Sequence, residues 1–145
     1  GTVTGVQTCA LPISRDGLHI PMLDLDGCSL FQVINEVSEL QKQFGLGTAS
    51  ICSTGRADSF HVYFWNKMSW RDAVKVVASC KLGDLKHLYF SLRREHFTLR
   101  ISNKKDRSIQ VVATVTSPFK SNCGHKDLES FVSYETASKL EVQKL

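Results

Sequence analysis

The run His19-Ile20-Pro21-Met22-Leu23-Asp24-Leu25-Asp26-Gly27 constrains the fold of this chain more than any other stretch. It reads as a buried strand that ends in two carboxylates. Successive side chains of a strand point to opposite faces, so Asp24 and Asp26 share one side of a sheet while Leu23 and Leu25 share the other. Two carboxylates this close repel each other unless a cation neutralises the pair. A hard divalent ion, Mg²⁺ or Mn²⁺, is the simplest such cation. The plainer reading is a solvated strand end that turns the chain through Gly27.

The apolar side of such a strand needs a cover, and helix signals follow it. Ser29 and Gln32 have capping-box spacing, and Leu30, Val33, Ile34, Val37, Leu40 and Phe44 recur at three- and four-residue steps. With Gly45 as a C-terminal stop, this predicts a helix of about four turns. Residues 48–53 are a short, half-apolar strand that leads into Ser53-Thr54-Gly55-Arg56. Ser59-Phe60-His61-Val62-Tyr63-Phe64-Trp65 then alternates: Phe60, Val62 and Phe64 face a core, whereas Ser59, His61, Tyr63 and Trp65 face away. So short a turn between the two strands predicts a hairpin. Ser69 and Asp72 repeat the cap spacing, Ala73, Val76, Val77 and Cys80 form an inner stripe, and Gly83 closes a second helix. Residues 88–93 and 97–102 read as another strand pair, with Phe97, Leu99 and Ile101 toward a core and Thr98, Arg100 and Ser102 on the polar side. Lys104, Lys105 and Arg107 make a basic loop, residues 109–115 a further strand ended by Pro118, and the pattern from Asp127 onward is weakly helical.

The order β-α-β-β-α-β-β predicts an α+β fold of the split β-α-β (RRM-like) kind, a mostly antiparallel sheet with helices on one face. Asp24, Asp26, Ser59, His61, Tyr63 and Arg100 are assigned to the opposite, bare face, and Tyr63 and Trp65 offer rings for base stacking.

Not all of the chain belongs in this reading. Val3-Thr4-Gly5-Val6-Gln7-Thr8-Cys9-Ala10-Leu11-Pro12-Ile13 spells an in-frame translation of a common sequencing-library adapter. Residues 1–14 are therefore expected to be an artefactual leader, with the natural protein extending further upstream. Residues 15–116 are expected to form the core of one domain, and residues 117–145 a weakly helical C-terminal tail. No run of eighteen apolar residues occurs, which excludes a helical membrane span. The formal net charge of +4 is compatible with a polyanionic partner. Cys28, Cys52, Cys80 and Cys123 show no C-x-x-C or metal-ligand spacing, and Cys123-Gly124-His125 is at most half a zinc site. Without a secretion signal these thiols are expected to be reduced, in a cytoplasmic protein.

Asp24-x-Asp26 on the first strand, Ser59-x-His61 on the third and Asp84 after the second helix resemble the three motifs of the archaeo-eukaryotic primase–polymerase superfamily, including its small bacterial primase-like members. Ser53-Thr54-Gly55-Arg56…Phe60-His61-Val62-Tyr63 is similar to its glycine-basic-then-His-hydrophobic-Tyr segment, and Leu99-Arg100-Ile101-Ser102 resembles its basic strand. The resemblance spans residues 18–107 and implies metal-dependent nucleotidyl transfer that primes or extends a nucleic-acid strand from nucleoside triphosphates. Asp24, Asp26 and Asp84 would be the catalytic carboxylates and hold Mg²⁺ or Mn²⁺. Ser59 and His61 would contact the incoming nucleotide, and Arg56, Arg100 and Lys104 would supply charge to phosphate. A helicase or accessory domain, fused or neighbouring, would fit such an activity. No zinc module is visible and the chain is short, so a non-catalytic relative that binds nucleic acid or nucleotide is the alternative.

A second resemblance competes. Met22-Leu23-Asp24-Leu25-Asp26-Gly27 looks like the nucleophile loop of haloacid-dehalogenase-type phosphatases, and Ser53-Thr54-Gly55-Arg56 like their second motif. That reading requires a parallel sheet and a helix after Arg56, and Cys28 stands where a threonine or valine is usual.

Overall fold

The computed structural model describes residues 17–82 and 110–124. β1 (Met22–Asp26) leads into α1 (Leu30–Phe44), then β2 (Ala49–Ser53), β3 (Ser59–Phe64), α2 (Trp70–Ala78) and β4 (Gln110–Val115). The sheet order is β1-β3-β2-β4 and every described pairing is antiparallel. β1 and β2 are therefore parallel to each other with β3 inserted between them, which is the split β-α-β core. The molecule is an α+β fold with its helices on one face of the sheet.

Local chemistry accounts for the helix ends. The Ser29 hydroxyl accepts from the Gln32 amide at 3.2 Å, and the Gln32 side chain accepts from the Ser29 amide at 2.8 Å, a complete capping box. At the other end Gly45 adopts the left-handed conformation, φ 66°, and its N–H donates to the Gln41 carbonyl. α2 starts at the expected place, with the Ser69 hydroxyl accepting from the Asp72 amide. It ends at Ala78, ahead of Gly83. The Ser79 hydroxyl donates back to the Lys75 carbonyl at 2.7 Å, and the Lys81 amide is drawn away to the Glu36 carboxylate at 3.1 Å.

Val33, Val37 and Leu40 of α1 and Ala73, Val76 and Val77 of α2 join Leu23, Leu25, Ile51, Phe60, Val62 and Phe64 in one core. The alternation expected in β1 and β3 is observed: Leu23 opposes Val62, Leu25 opposes Phe60 and Asp24 opposes His61. The second face is not bare where β3 crosses it. Every residue of β3 is buried, and so are Met22, Ser50, Cys52 and Trp65 beside it. Periodicity reports which residues share a face and carries no information on whether that face is covered.

Residues 117–124 run as an irregular segment beside the α1–β2 connection and the start of the β3–α2 connection. The Ser121 hydroxyl accepts from the Thr48 amide at 2.7 Å, Asn66 Nδ2 donates to the Lys120 carbonyl at 2.9 Å, and the Asn122 side chain accepts from the Lys67 amide at 2.7 Å. From the helix side, Gln41 Nε2 donates to the carbonyls of both Gly47 and Val115, at 2.7 and 2.9 Å. These polar bonds strap the chain beyond β4 to the loops at one end of the sheet. The expected strands at 88–93 and 97–102, the leader and the helical pattern from Asp127 lie outside the described residues.

Candidate functional site

The antiparallel register of β1 and β3 brings the two carboxylates against two polar partners. Asp24 lies opposite His61 and Asp26 opposite Ser59. Asp24 Oδ1 and His61 Nε2 are 3.4 Å apart, with the aspartate side chain 37% exposed and the histidine 9%. The Ser59 hydroxyl donates to Asp26 Oδ1 at 2.6 Å, the length of a charge-assisted bond to a carboxylate. Asp26 is exposed, whereas Ser59 is buried. The result is a pair of solvent-reaching carboxylates standing on a buried polar floor.

The turn between β2 and β3 holds this arrangement in place. Gly55 and Asp58 both have positive φ, 87° and 53°, in a tight reversal that aspartate tolerates better than most residues. The Asp58 carbonyl accepts from the amides of Gly27 and Cys28, at 2.8 and 3.2 Å, and so ties the end of β1 to the start of β3. Arg56 is exposed in the same turn, at the end of the sheet where Asp26 and Ser59 lie. Asp24, Asp26, Ser59 and His61 thus share one face of the sheet, and Arg56 lies in the turn at the Asp26–Ser59 end. Asp84, Arg100 and Lys104 lie outside the described residues.

His61 carries an unspent hydrogen-bonding group. Its Nε2 faces Asp24, while its buried Nδ1 has no hydrogen-bond partner. An orphaned buried polar atom costs on the order of 1–3 kcal/mol, a cost that a bound group could offset. Opposite His61 on the other side stands Cys52, so Asp24, His61 and Cys52 form one row across three strands. Single-strand alternation did not point to Cys52. The β2–β3 pairing register is what puts it in the row.

Tyr63 and Trp65 are not available to bases. Both are buried, their rings stack with centroids 5.8 Å apart, and Trp65 Nε1 donates to the Ser50 hydroxyl at 2.8 Å.

Two carboxylates that alternate onto one strand face and reach solvent are the hard oxygen donors that Mg²⁺ or Mn²⁺ prefers, so the residues present fit such an ion. Among the described residues no group of three His, Cys, Asp or Glu side chains is placed to hold a metal. A full ligand set would need donors beyond these two carboxylates. Among the described residues, no helix is long and apolar enough to cross a membrane. Cys28 and Cys52 are free, buried thiols.

The two thiols nearest the carboxylates are held neutral. Burial, then the charges of Asp26 and Asp58, push the Cys28 thiol up. Burial alone pushes Cys52 from 9.0 up to about 11. A folded-state value above the unfolded one stabilises the fold below the unfolded value, and that contribution is lost as pH rises through the folded value. Between about pH 9 and 11, wild-type stability should therefore fall more steeply than that of Cys52→Ala, the difference amounting to about 2 kcal/mol across the window. Urea unfolding of the two proteins at a series of alkaline pH values measures it. Parallel curves would mean that the thiol ionises as freely in the fold as outside it.

Compared with known proteins, the chain matches no family model, no curated protein and no solved structure.

Proposed function

We propose that this chain is a primase- or polymerase-like nucleotidyltransferase domain that binds a nucleoside triphosphate and a nucleic-acid strand through the face bearing Asp24 and Asp26. The observation that carries the reading is the juxtaposition of two solvent-reaching carboxylates with a buried histidine whose Nδ1 has no partner. Asp24 and Asp26 would hold the divalent cation, with Asp84 as the further acidic candidate. When bound, that ion supplies activation of a 3′-hydroxyl and neutralisation of the departing pyrophosphate. Ser59 fixes one oxygen of Asp26 and so orients the other outward. His61, held beside Asp24 through Nε2 on the same face as the carboxylates, would line the bound triphosphate. Arg56 adds positive charge from the turn, and Arg100 and Lys104 are the further basic candidates. A cytoplasmic location, where thiols stay reduced, is part of this reading.

The phosphatase reading fares worse. The described sheet is antiparallel throughout, and the chain passes from Arg56 through a turn directly into β3 where that reading needs a helix.

A primer-extension assay with a labelled primer–template, the four nucleoside triphosphates and Mn²⁺ tests the proposal. The wild type should add nucleotides, and Asp24→Asn should fall to background. Triphosphate binding without incorporation would leave a binding relative of this fold as the account. Absence of both would remove the proposal.

A further inference from the structure

The segment 117–122 is held differently from the strands beside it. β2 and β3 are almost wholly buried, which shields their hydrogen bonds from water. In the segment, Pro118, Phe119, Lys120 and Asn122 are exposed, and Ser117 and Ser121 are half-buried. Its polar bonds run to two connections at the end of the sheet opposite Asp26 and Ser59. At the α1–β2 connection, the Ser117 hydroxyl donates to the Leu46 carbonyl and the Ser121 hydroxyl accepts from the Thr48 amide. At the β3–α2 connection, the Asn122 amide donates to the Trp65 carbonyl at 3.1 Å. The Asn122 side chain takes both backbone groups of Lys67, accepting from the N–H at 2.7 Å and donating to the carbonyl at 3.3 Å.

Asn66 locks the two connections and the segment together. Its Oδ1 accepts from the Gly47 amide and its Nδ2 donates to the Lys120 carbonyl, both at 2.9 Å. Each such bond contributes little alone, because its groups turn to water once the segment lifts. Interlocked, they are made and lost together. β4 is pinned separately, where the buried Gln41 side chain donates through Nε2 to the Val115 carbonyl at 2.9 Å. Thr116, exposed between that anchor and Ser117, is the natural pivot.

We propose that residues 117–122 are a latch that opens as one unit about Thr116 while β1–β4 stay paired. Closed, it clamps the α1–β2 connection to the β3–α2 connection. Open, it returns the Thr48 and Lys67 amides and the Trp65 carbonyl to water. Segments with exposed polar bonds open at lower free energy than buried ladders, and this one has that character. The latch lies at the far end of the sheet from the carboxylates, so it stands or falls independently of the nucleotidyltransferase reading.

Native-state hydrogen exchange at fixed pH, expressed as protection factors, tests the latch on the amides of Thr48, Lys67 and Asn122. In wild type the three should share one protection factor, at least about tenfold below those of the β3 amides. Ser121→Ala removes the acceptor of the Thr48 amide and leaves the acceptors of Lys67 and Asn122 intact. It should nonetheless lower the protection of Lys67 and Asn122 together by about fivefold, the worth of one hydrogen bond, with β3 unchanged. Asn66→Asp keeps an oxygen for the Gly47 amide but has no donor for the Lys120 carbonyl. It should act in the same way, and it stands in should Ser121→Ala fail to fold. A loss confined to Thr48 in Ser121→Ala would mean separate bonds in place of a latch and overturns the proposal. So do three amides as well protected as those of β3, since they would then open only with the whole fold.

Discussion

Gly47→Ala should destabilise the fold by about 3 kcal/mol, with a lower urea midpoint and an unchanged overall topology. A Cβ at this position would clash with the Ser121 amide nitrogen and would sit 2.6 Å from the Lys120 carbonyl carbon. These are backbone atoms and cannot swing aside as a side-chain tip could. Overpacking against a fixed neighbour costs about 1–3 kcal/mol. The strap would then lift, and the Thr48–Ser121, Asn66–Lys120 and Lys67–Asn122 hydrogen bonds would weaken with it. Each contributes on the order of 1 kcal/mol. Gly124→Ala is the control, since nothing lies within 4 Å of its added carbon and it should change stability by less than about 0.5 kcal/mol. Equal loss in both variants would mean that close approach of the strap is not what Gly47 provides.

That strap also shows where sequence reading stops. The helix caps at Ser29 and Gly45 were legible because capping chemistry is local, and the β2–β3 hairpin was legible because its turn is short. The attachment of residues 117–122 rests on Asn66, Asn122 and Ser121, polar side chains that each reach a backbone group more than fifty residues away. Such bonds leave no period to read. Neither does sheet order: β4 joins β2, and nothing in its own alternation names that neighbour.

The site was legible in part for the same reason. Period-two alternation was enough to place Asp24, Asp26, Ser59 and His61 on one face; which of them stand opposite each other came only with the β1–β3 register. It was not enough to show that Tyr63 and Trp65 are buried, or that Cys52 completes the row with His61, because both depend on what lies beside and above the strand.

The second large effect concerns metal. Asp24→Asn removes one of two adjacent charges while keeping an oxygen that can accept from His61 Nε2, so the fold should survive and the apo form should not be weakened. What should vanish is the response to a divalent cation. A ligand that binds only the folded state, at about ten times its dissociation constant, stabilises it by about 1.4 kcal/mol. For a domain of this size that corresponds to roughly 3–6 °C in Tm. His61→Ala should keep the metal response and lose the increment added by a nucleoside triphosphate, because it leaves both carboxylates in place and removes only the imidazole beside them.

Thermal melts of wild type and Asp24→Asn, each with and without millimolar Mn²⁺, put the central claim to its most direct test. The account predicts a rise of a few degrees for wild type and none for Asp24→Asn. An identical response in the two proteins would contradict it, and would leave Asp24 and Asp26 as the solvated end of a strand.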